Sequence, residues 1–235
     1  QKQIFIGLDD KNNKIGVCRF DIDDNMRTAE VSLNLNPFFR GKGLSRELLE
    51  ISLFKFRSSF NKEIIANVKP SNIASLKVFE NCNFYFKKKN KDTLLYTNKV
   101  PILTDHVSGI NLEKVVGSSR QTKSLFEVLK NRTHSISHHK MPSFQEHHAF
   151  VTAHPYRVWY MISLKSKCVG SFYIQNDNSI GINLENSDKH KINFCLNFIK
   201  SNFFPYPEKK SIVPPYFYFN IPFSDTALLT MFEEL

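Results

Sequence analysis

Residues 40 to 45 read Arg40-Gly41-Lys42-Gly43-Leu44-Ser45. Glycine at 41 and 43 lets the backbone wrap closely around a bound group that a Cβ would obstruct. From Gly43 onward the pattern turns helical, and a helix start presents unpaired N–H groups at the positive end of its macrodipole. Arg40 and Lys42 can add charge. The chemistry this implies is anion binding, with a pyrophosphate as the natural guest. The spacing is neither a P-loop, G-x-x-x-x-G-K-[ST], nor a dinucleotide turn, G-x-G-x-x-G. A plain glycine-rich strand-to-helix connection remains the structural alternative.

The elements that must position this turn can be read on either side of it. Ile4 to Leu8 is an apolar run closed by the turn cluster Asp9 to Asn13, and Ile15 to Ile22 is a second strand. Ala29 to Leu35 alternates, with Val31, Leu33 and Leu35 on one side and Glu30, Ser32 and Asn34 on the other. Pro37 should close this third strand, because it lacks a donor. Leu44, Leu48, Leu49, Leu53 and Phe56 predict an amphipathic helix to about Arg57. A strand at Glu63 to Val68, a helix at Asn72 to Asn81 and a hairpin from Phe84 to Phe86 and Leu94 to Tyr96 follow.

After a connector at Pro101 to Gly109 the pattern resumes. A strand is expected at Ile110 to Val116, then helices at Ser119 to Asn131 and Phe144 to Thr152. Strands at Val158 to Leu164, Val169 to Ile174 and Ser179 to Leu184 form a second meander. A helix at Ile192 to Phe203, a strand at Tyr216 to Ile221 and a helix at Thr226 to Glu234 complete the pattern. The fold class is α+β, with mixed, mostly antiparallel sheets flanked by helices.

The two halves repeat each other. Ile65 to Cys82 aligns without gaps on Tyr218 to Leu235, with identities such as Asn67/Asn220, Ser71/Ser224 and Phe79/Phe232. Ile15-Gly16 matches Val169-Gly170, and Val31 to Leu35 matches Ile180 to Leu184. Two copies of one unit are expected, at 1–100 and 108–235. The first opens directly on its meander, without a leading strand and helices. The second has those and stops inside its last helix, so each is expected to be a partial copy.

The turn at 40–45, its strand and its helix resemble the GNAT superfamily of N-acetyltransferases. The family signature [RQ]-x-x-G-x-[GA] reads here as Arg40, Gly43 and Ser45, with serine a mild departure at the last place. Asn72-Ile73-Ala74-Ser75, Phe79 and Asn83-Phe84 also fit the family's next helix, Asn83 replacing a usual glycine. The resemblance covers about residues 4–100. It implies a pair of GNAT-like domains and acetyl-CoA as co-substrate. The amides of Arg40, Gly41, Lys42, Gly43, Leu44 and Ser45 would hold its pyrophosphate, and the strand edge at Leu33 and Leu35 its pantetheine. An edge N–H would polarise the thioester carbonyl, and Asn72 would contact the cofactor. Glu30 stands where several members carry a general base. The tyrosine that often protonates the leaving thiolate is replaced here by Phe79.

The second copy departs further. Aligned on Val31 to Leu35, its counterpart of Arg40 to Ser45 is Lys189-His190-Lys191-Ile192-Asn193-Phe194, with both glycines gone, and Asn72 becomes Asp225. One cofactor per chain is therefore expected. His138, Met141-Pro142-Ser143, His147 and His154-Pro155-Tyr156-Arg157-x-Trp159-Tyr160 resemble GNAT-like acyltransferases of bacterial surface amino sugars. No histidine pair there has a zinc pattern with partners, so no metal is expected. The implied activity is acetyl transfer to a primary amine of a small molecule, with an amino sugar as the finer reading. A tandem module that keeps the shape without turnover is the alternative.

Composition bounds these readings. The 235 residues suit two small domains, and 41% hydrophobic with 23% charged residues is a globular balance. Apolar runs fall far short of the roughly 20 residues of a membrane span. Cys18, Cys82, Cys168 and Cys195 are scattered, which suggests reduced thiols in the cytoplasm. The net charge of +10 is dispersed apart from Lys87-Lys88-Lys89 and Lys91. With no nucleic-acid motif present, nucleic acid and membrane are not expected partners. Homo-oligomerisation is left open.

Overall fold

The computed structural model describes residues 1–23, 25, 27–99, 103–131, 141–186 and 188–221. The chain divides into two compact units: Gln1–Pro101 with Ser201–Phe204, and Ile102–Lys200 with Pro205–Leu235. The fold class is α+β, two six-stranded mixed sheets with five helices among the described residues.

In the first unit, β1 (Lys2–Leu8), β2 (Lys14–Ile22) and β3 (Thr28–Leu35) form an antiparallel meander. Asp9 closes the first hairpin, its carboxylate accepting from the N–H groups of Lys11 and Asn13 at 2.9 and 2.8 Å. A short 3-10 turn at Pro37–Phe39 ends β3, and α1 (Leu44–Arg57) crosses back. Then come β4 (Glu63–Val68), α2 (Ile73–Asn81), β5 (Tyr85–Lys89) and β6 (Leu94–Thr97), giving the sheet order β1-β2-β3-β4-β6-β5. The buried side of β2 and the buried stripe of α1 meet at Phe20 and Phe56, whose rings stack 4.3 Å apart. Burying each such ring contributes about 1.5–3 kcal/mol. This packing fixes α1, and with it the turn at α1's start, against the sheet.

The second unit comprises β7 (Thr104–Asp105), β8 (Ile110–Lys114), α3 (Ser119–Lys130), α4 (Phe144–Thr152), β9 (Val158–Leu164), β10 (Lys167–Ile174), β11 (Ser179–Leu184), α5 (Lys189–Asn202) and β12 (Tyr218–Phe219). Both α3 and α4 start with a capping box, Ser118 with Gln121 and Ser143 with Glu146. One face of the sheet packs Trp159 and Met161 under Leu125 of α3 and Val151 of α4. On the other, Phe198 of α5 meets Tyr160 and Phe172.

The repeat read from the sequence reappears in the ladders. β3 pairs with β4 in parallel, Glu30 opposite Ile65; β11 pairs with β12 in parallel, Ser179 opposite Tyr218. Those are the residues that the two sequence alignments match. Gly16 and Gly170 are equivalent in a second way, each facing a leucine across the meander, Leu35 and Leu184. A Cβ at either glycine would lie 2.6 and 2.2 Å from the carbonyls of Asn34 and Asn183, respectively, so both strands need glycine there.

Some expected elements differ. α5 begins at Lys189 rather than Ile192, because the Asp188 carboxylate accepts from the His190 N–H at 2.8 Å before the apolar pattern starts. The strand expected at Tyr216 to Ile221 is confined to Tyr218–Phe219, just past Pro214 and Pro215, which lack donors. The connector contains β7, a two-residue strand with too little periodicity to read. The helix expected at Thr226 to Glu234 lies outside the described residues.

Candidate functional site

β3 and β4 run in parallel, so the connections to α1 and α2 leave from the same end of the sheet. Both helix starts therefore flank one opening, the arrangement in which open sheets bind ligands. The opening is real in the ladder. β3 and β4 pair only through Thr28↔Glu63, Ala29↔Ile64 and Glu30↔Ile65, although β3 continues to Leu35 and β4 to Val68.

Along β3 the peptide groups alternate in direction. Thr28 accepts from the Asp23 N–H, and the Asn36 N–H beyond the strand donates to Ile15, so the even-numbered residues address β2. Val31, Leu33 and Leu35 thus direct their peptide groups toward β4, and past Glu30 that edge has no strand partner. The expected pantetheine positions, Leu33 and Leu35, both lie on it. The Leu35 carbonyl accepts from the Arg40 guanidinium, Nε at 3.4 Å and Nη2 at 3.3 Å. Arg40 therefore ties the turn to the strand end as well as charging it, a contact the sequence did not announce.

In the turn, Gly41 and Gly43 have φ of +75° and +77°. A Cβ at either would meet no protein atom within 4 Å, so conformation and open space, not crowding, call for glycine. Gly43 is the N-cap of α1 and offers no side-chain cap. The flanking backbone bonds are Arg40 N–H to Pro37 at 3.2 Å and Arg46 N–H to Gly43 at 3.3 Å. Between them, the N–H groups of Gly41, Lys42, Gly43, Leu44 and Ser45 donate to no protein oxygen among the described residues. A run of free amides at a helix start is an anion cradle. Lys42 extends its ammonium over the Phe39 ring, 5.3 Å from the centroid.

Asn72 is the N-cap of α2, not its first residue, and its Oδ1 accepts from the Ser75 N–H at 3.2 Å. Its amide nitrogen is the part left to face a ligand. Glu30 is exposed on the last rung of the β3–β4 ladder and accepts from Asn67 Nδ2 at 3.1 Å. Asn67 was not legible as a site residue, because a lone polar residue on a strand face carries no spacing signal. Phe79 is buried edge-on against Phe84, centroids 5.1 Å apart, and places no hydroxyl there.

Residues 1–84 match the acetyltransferase (GNAT) family. They are a GNAT-family domain. Among solved structures, the chain is similar to a spermidine N-acetyltransferase from Vibrio cholerae in complex with CoA and spermine, at 22% identity over 41% of this chain and 63% of that one, TM-score 0.37. It is also similar to a chimera of the Vibrio cholerae enzyme SpeG with hSSAT, at 21% identity over 41% of this chain and 66% of that one, TM-score 0.35. The likeness spans less than two-thirds of either neighbour. No curated protein matches.

In the second unit the counterpart of the GNAT turn is different. Lys189 opens α5, so residues that correspond to the amide run are helical, and Asp188 occupies the helix start. The counterpart of Glu30, Ser179, is buried and bonded to Asp177 at 2.7 Å. Asp225 and His138 lie outside the described residues. His147 is buried against Phe126, and burial pushes its pKa down; His154 packs near Tyr156 and Trp159 and is lowered for the same reason, with Lys114 adding to it. Among the described residues no three His, Cys, Asp or Glu side chains group as a metal site, and no helix is long and apolar enough to cross a membrane.

Proposed function

We propose that this chain transfers acetyl from acetyl-CoA to a primary amine of a small molecule, with the cofactor held by the first unit alone. The observation that supports it best is the run of five free amides from Gly41 to Ser45 beside the edge of β3 that pairs with no strand past Glu30. The turn would take the pyrophosphate, and the peptide groups of Leu33 and Leu35 the pantetheine amides. Leu44 and Ser45 belong to the same cradle, Arg40 and Lys42 supply charge, and Asn72 Nδ2 faces the cofactor from α2.

Glu30 stands at the mouth of the opening as the base. An amine attacks the thioester carbonyl, its proton passes to the Glu30 carboxylate, and the C–S bond breaks to release the thiolate of CoA. An N–H on the β3 edge would hold the developing oxyanion. With Phe79 in place of a phenol, solvent protonates the thiolate. An amino sugar is the acceptor class we favour, on the resemblance carried by the second unit's sequence from His138 to Tyr160, and a cytoplasmic setting suits the four free thiols.

A second reading, a tandem module that binds acetyl-CoA without turnover, draws on Phe79 and on the helical, glycine-free counterpart turn. Thiol release separates the two. With acetyl-CoA and a panel of amines that includes nucleotide-linked amino sugars and polyamines, release stimulated by one amine and lost in Glu30→Gln supports the enzyme. Binding of acetyl-CoA with no release from any amine would leave the module reading standing instead.

A further inference from the structure

Asn67 lies two residues beyond the last β3–β4 rung, where the strands have already parted. Its side chain spans the gap, Nδ2 donating to Glu30 Oε1 at 3.1 Å. Its other end is held from the opposite side: Oδ1 accepts from Asn90 Nδ2 at 3.4 Å and from Thr93 Oγ1 at 3.5 Å, both in the turn between β5 and β6. Two donors on Oδ1 settle which way the amide faces, so Nδ2 is directed at the carboxylate. The residue paired with Glu30 on β2 is another carboxylate. Arg19 is bonded to Asp21, and Asp21 sits directly across β2 from Glu30. Asp21 offers Glu30 no donor and its cation is already committed to it, so the Asn67 amide is the donor that fixes the direction of the Glu30 carboxylate.

We infer that Asn67 is a positioning residue for Glu30: it holds Oε1 over the β3–β4 opening and leaves Oε2 to take the proton of the acceptor amine. The inference rests on Glu30 being the base. Asn90 and Thr93 act one step further out, by orienting Asn67. Of the residues assigned to the reaction or to the cofactor, the side chain touches Glu30 alone, so its removal affects the proton transfer and not cofactor binding.

The test is a double-mutant cycle in the full chain. Asn67→Leu should lower kcat on the order of tenfold to a hundredfold, the range expected of a misplaced reacting group, with KM for acetyl-CoA unchanged. Asn67→Asp, which sets a like charge against Glu30, should lose more than Asn67→Leu. In a Glu30→Gln background, Asn67→Leu should cost nothing further, because the group it positions is gone. A merely structural residue would lower both backgrounds equally, and that additivity would overturn the inference while leaving Glu30 as the base. Full activity of Glu30→Gln would overturn both together. Independently of turnover, Glu30→Ala should move the side-chain amide resonances of Asn67; unmoved resonances mean that the contact, and the inference with it, is wrong.

Discussion

Gly43→Ala separates the conformational from the ligand-binding demand on the turn. At +77° the residue sits in the left-handed region, which costs an L-residue with a Cβ about 1–2 kcal/mol. No protein atom lies within 4 Å of the added methyl, so no clash adds to this strain. Two outcomes are open to the variant. If it keeps the left-handed conformation, unfolding in denaturant should show a loss of about 1–2 kcal/mol, with affinity reduced only by the methyl in the cradle. If it relaxes, stability returns but the amides of residues 41–45 no longer converge. Either way acetyl-CoA should bind at least about tenfold more weakly, equivalent to about 1.4 kcal/mol. Asparagine tolerates positive φ far better than alanine, so Gly43→Asn should be the more stable of the two variants. Paired calorimetric titration and urea unfolding of both variants measure the two effects. Wild-type affinity in Gly43→Ala would refute the cradle, because the bound anion would then be indifferent to the backbone that supposedly holds it.

Arg40→Glu should abolish detectable acetyl-CoA binding, since it reverses the charge at the cradle and breaks the tie to the Leu35 carbonyl; Arg40→Lys should retain part of it, and equal affinities would argue against the assignment. In the second unit, Asn178 is fully buried, donating to the Tyr206 and Pro214 carbonyls at 2.8 and 2.7 Å and accepting from the Tyr206 N–H at 2.7 Å. Asn178→Ala should lower stability by roughly 2–4 kcal/mol, several net hydrogen bonds with their buried partners left unmet, read as a shift of the denaturation midpoint. His147 and His154 have folded pKa values below the unfolded value of about 6.5. The unfolded chain thus binds more protons below that pH, and stability should fall as pH drops from about 6.5, being fully present above it. His147→Phe, which keeps the contact with Phe126, should flatten part of that slope; an unchanged slope would mean that His147 titrates normally.

The fold was legible where one physical signal dominated. Strict alternation placed β3 to within a residue, and the helical stripe of Leu48, Leu49, Leu53 and Phe56 placed α1. The repeat was legible as well, since the aligned residues Glu30, Ile65, Ser179 and Tyr218 meet in equivalent rungs. Capping decided what periodicity missed: Asp188 starts α5 early, and Asn72 stands outside α2 with its oxygen committed to Ser75. In the site, the glycines were read from type and spacing, and the edge at Leu33 and Leu35 from the family resemblance. The Arg40 tie to Leu35 and the Glu30–Asn67–Asn90 chain did not. They join residues distant in sequence, or depend on where a long side chain comes to rest, and neither leaves a pattern in the chain.

The central claim is that the Gly41 to Ser45 amides form the one acetyl-CoA cradle in this protein. Calorimetric titration of the full chain with acetyl-CoA tests it most directly. The account predicts saturable binding with one cofactor per chain, lost in Arg40→Glu and untouched by Lys191→Glu at the counterpart turn. Two equivalents bound per chain, or binding that survives Arg40→Glu and fails in Lys191→Glu, would contradict it.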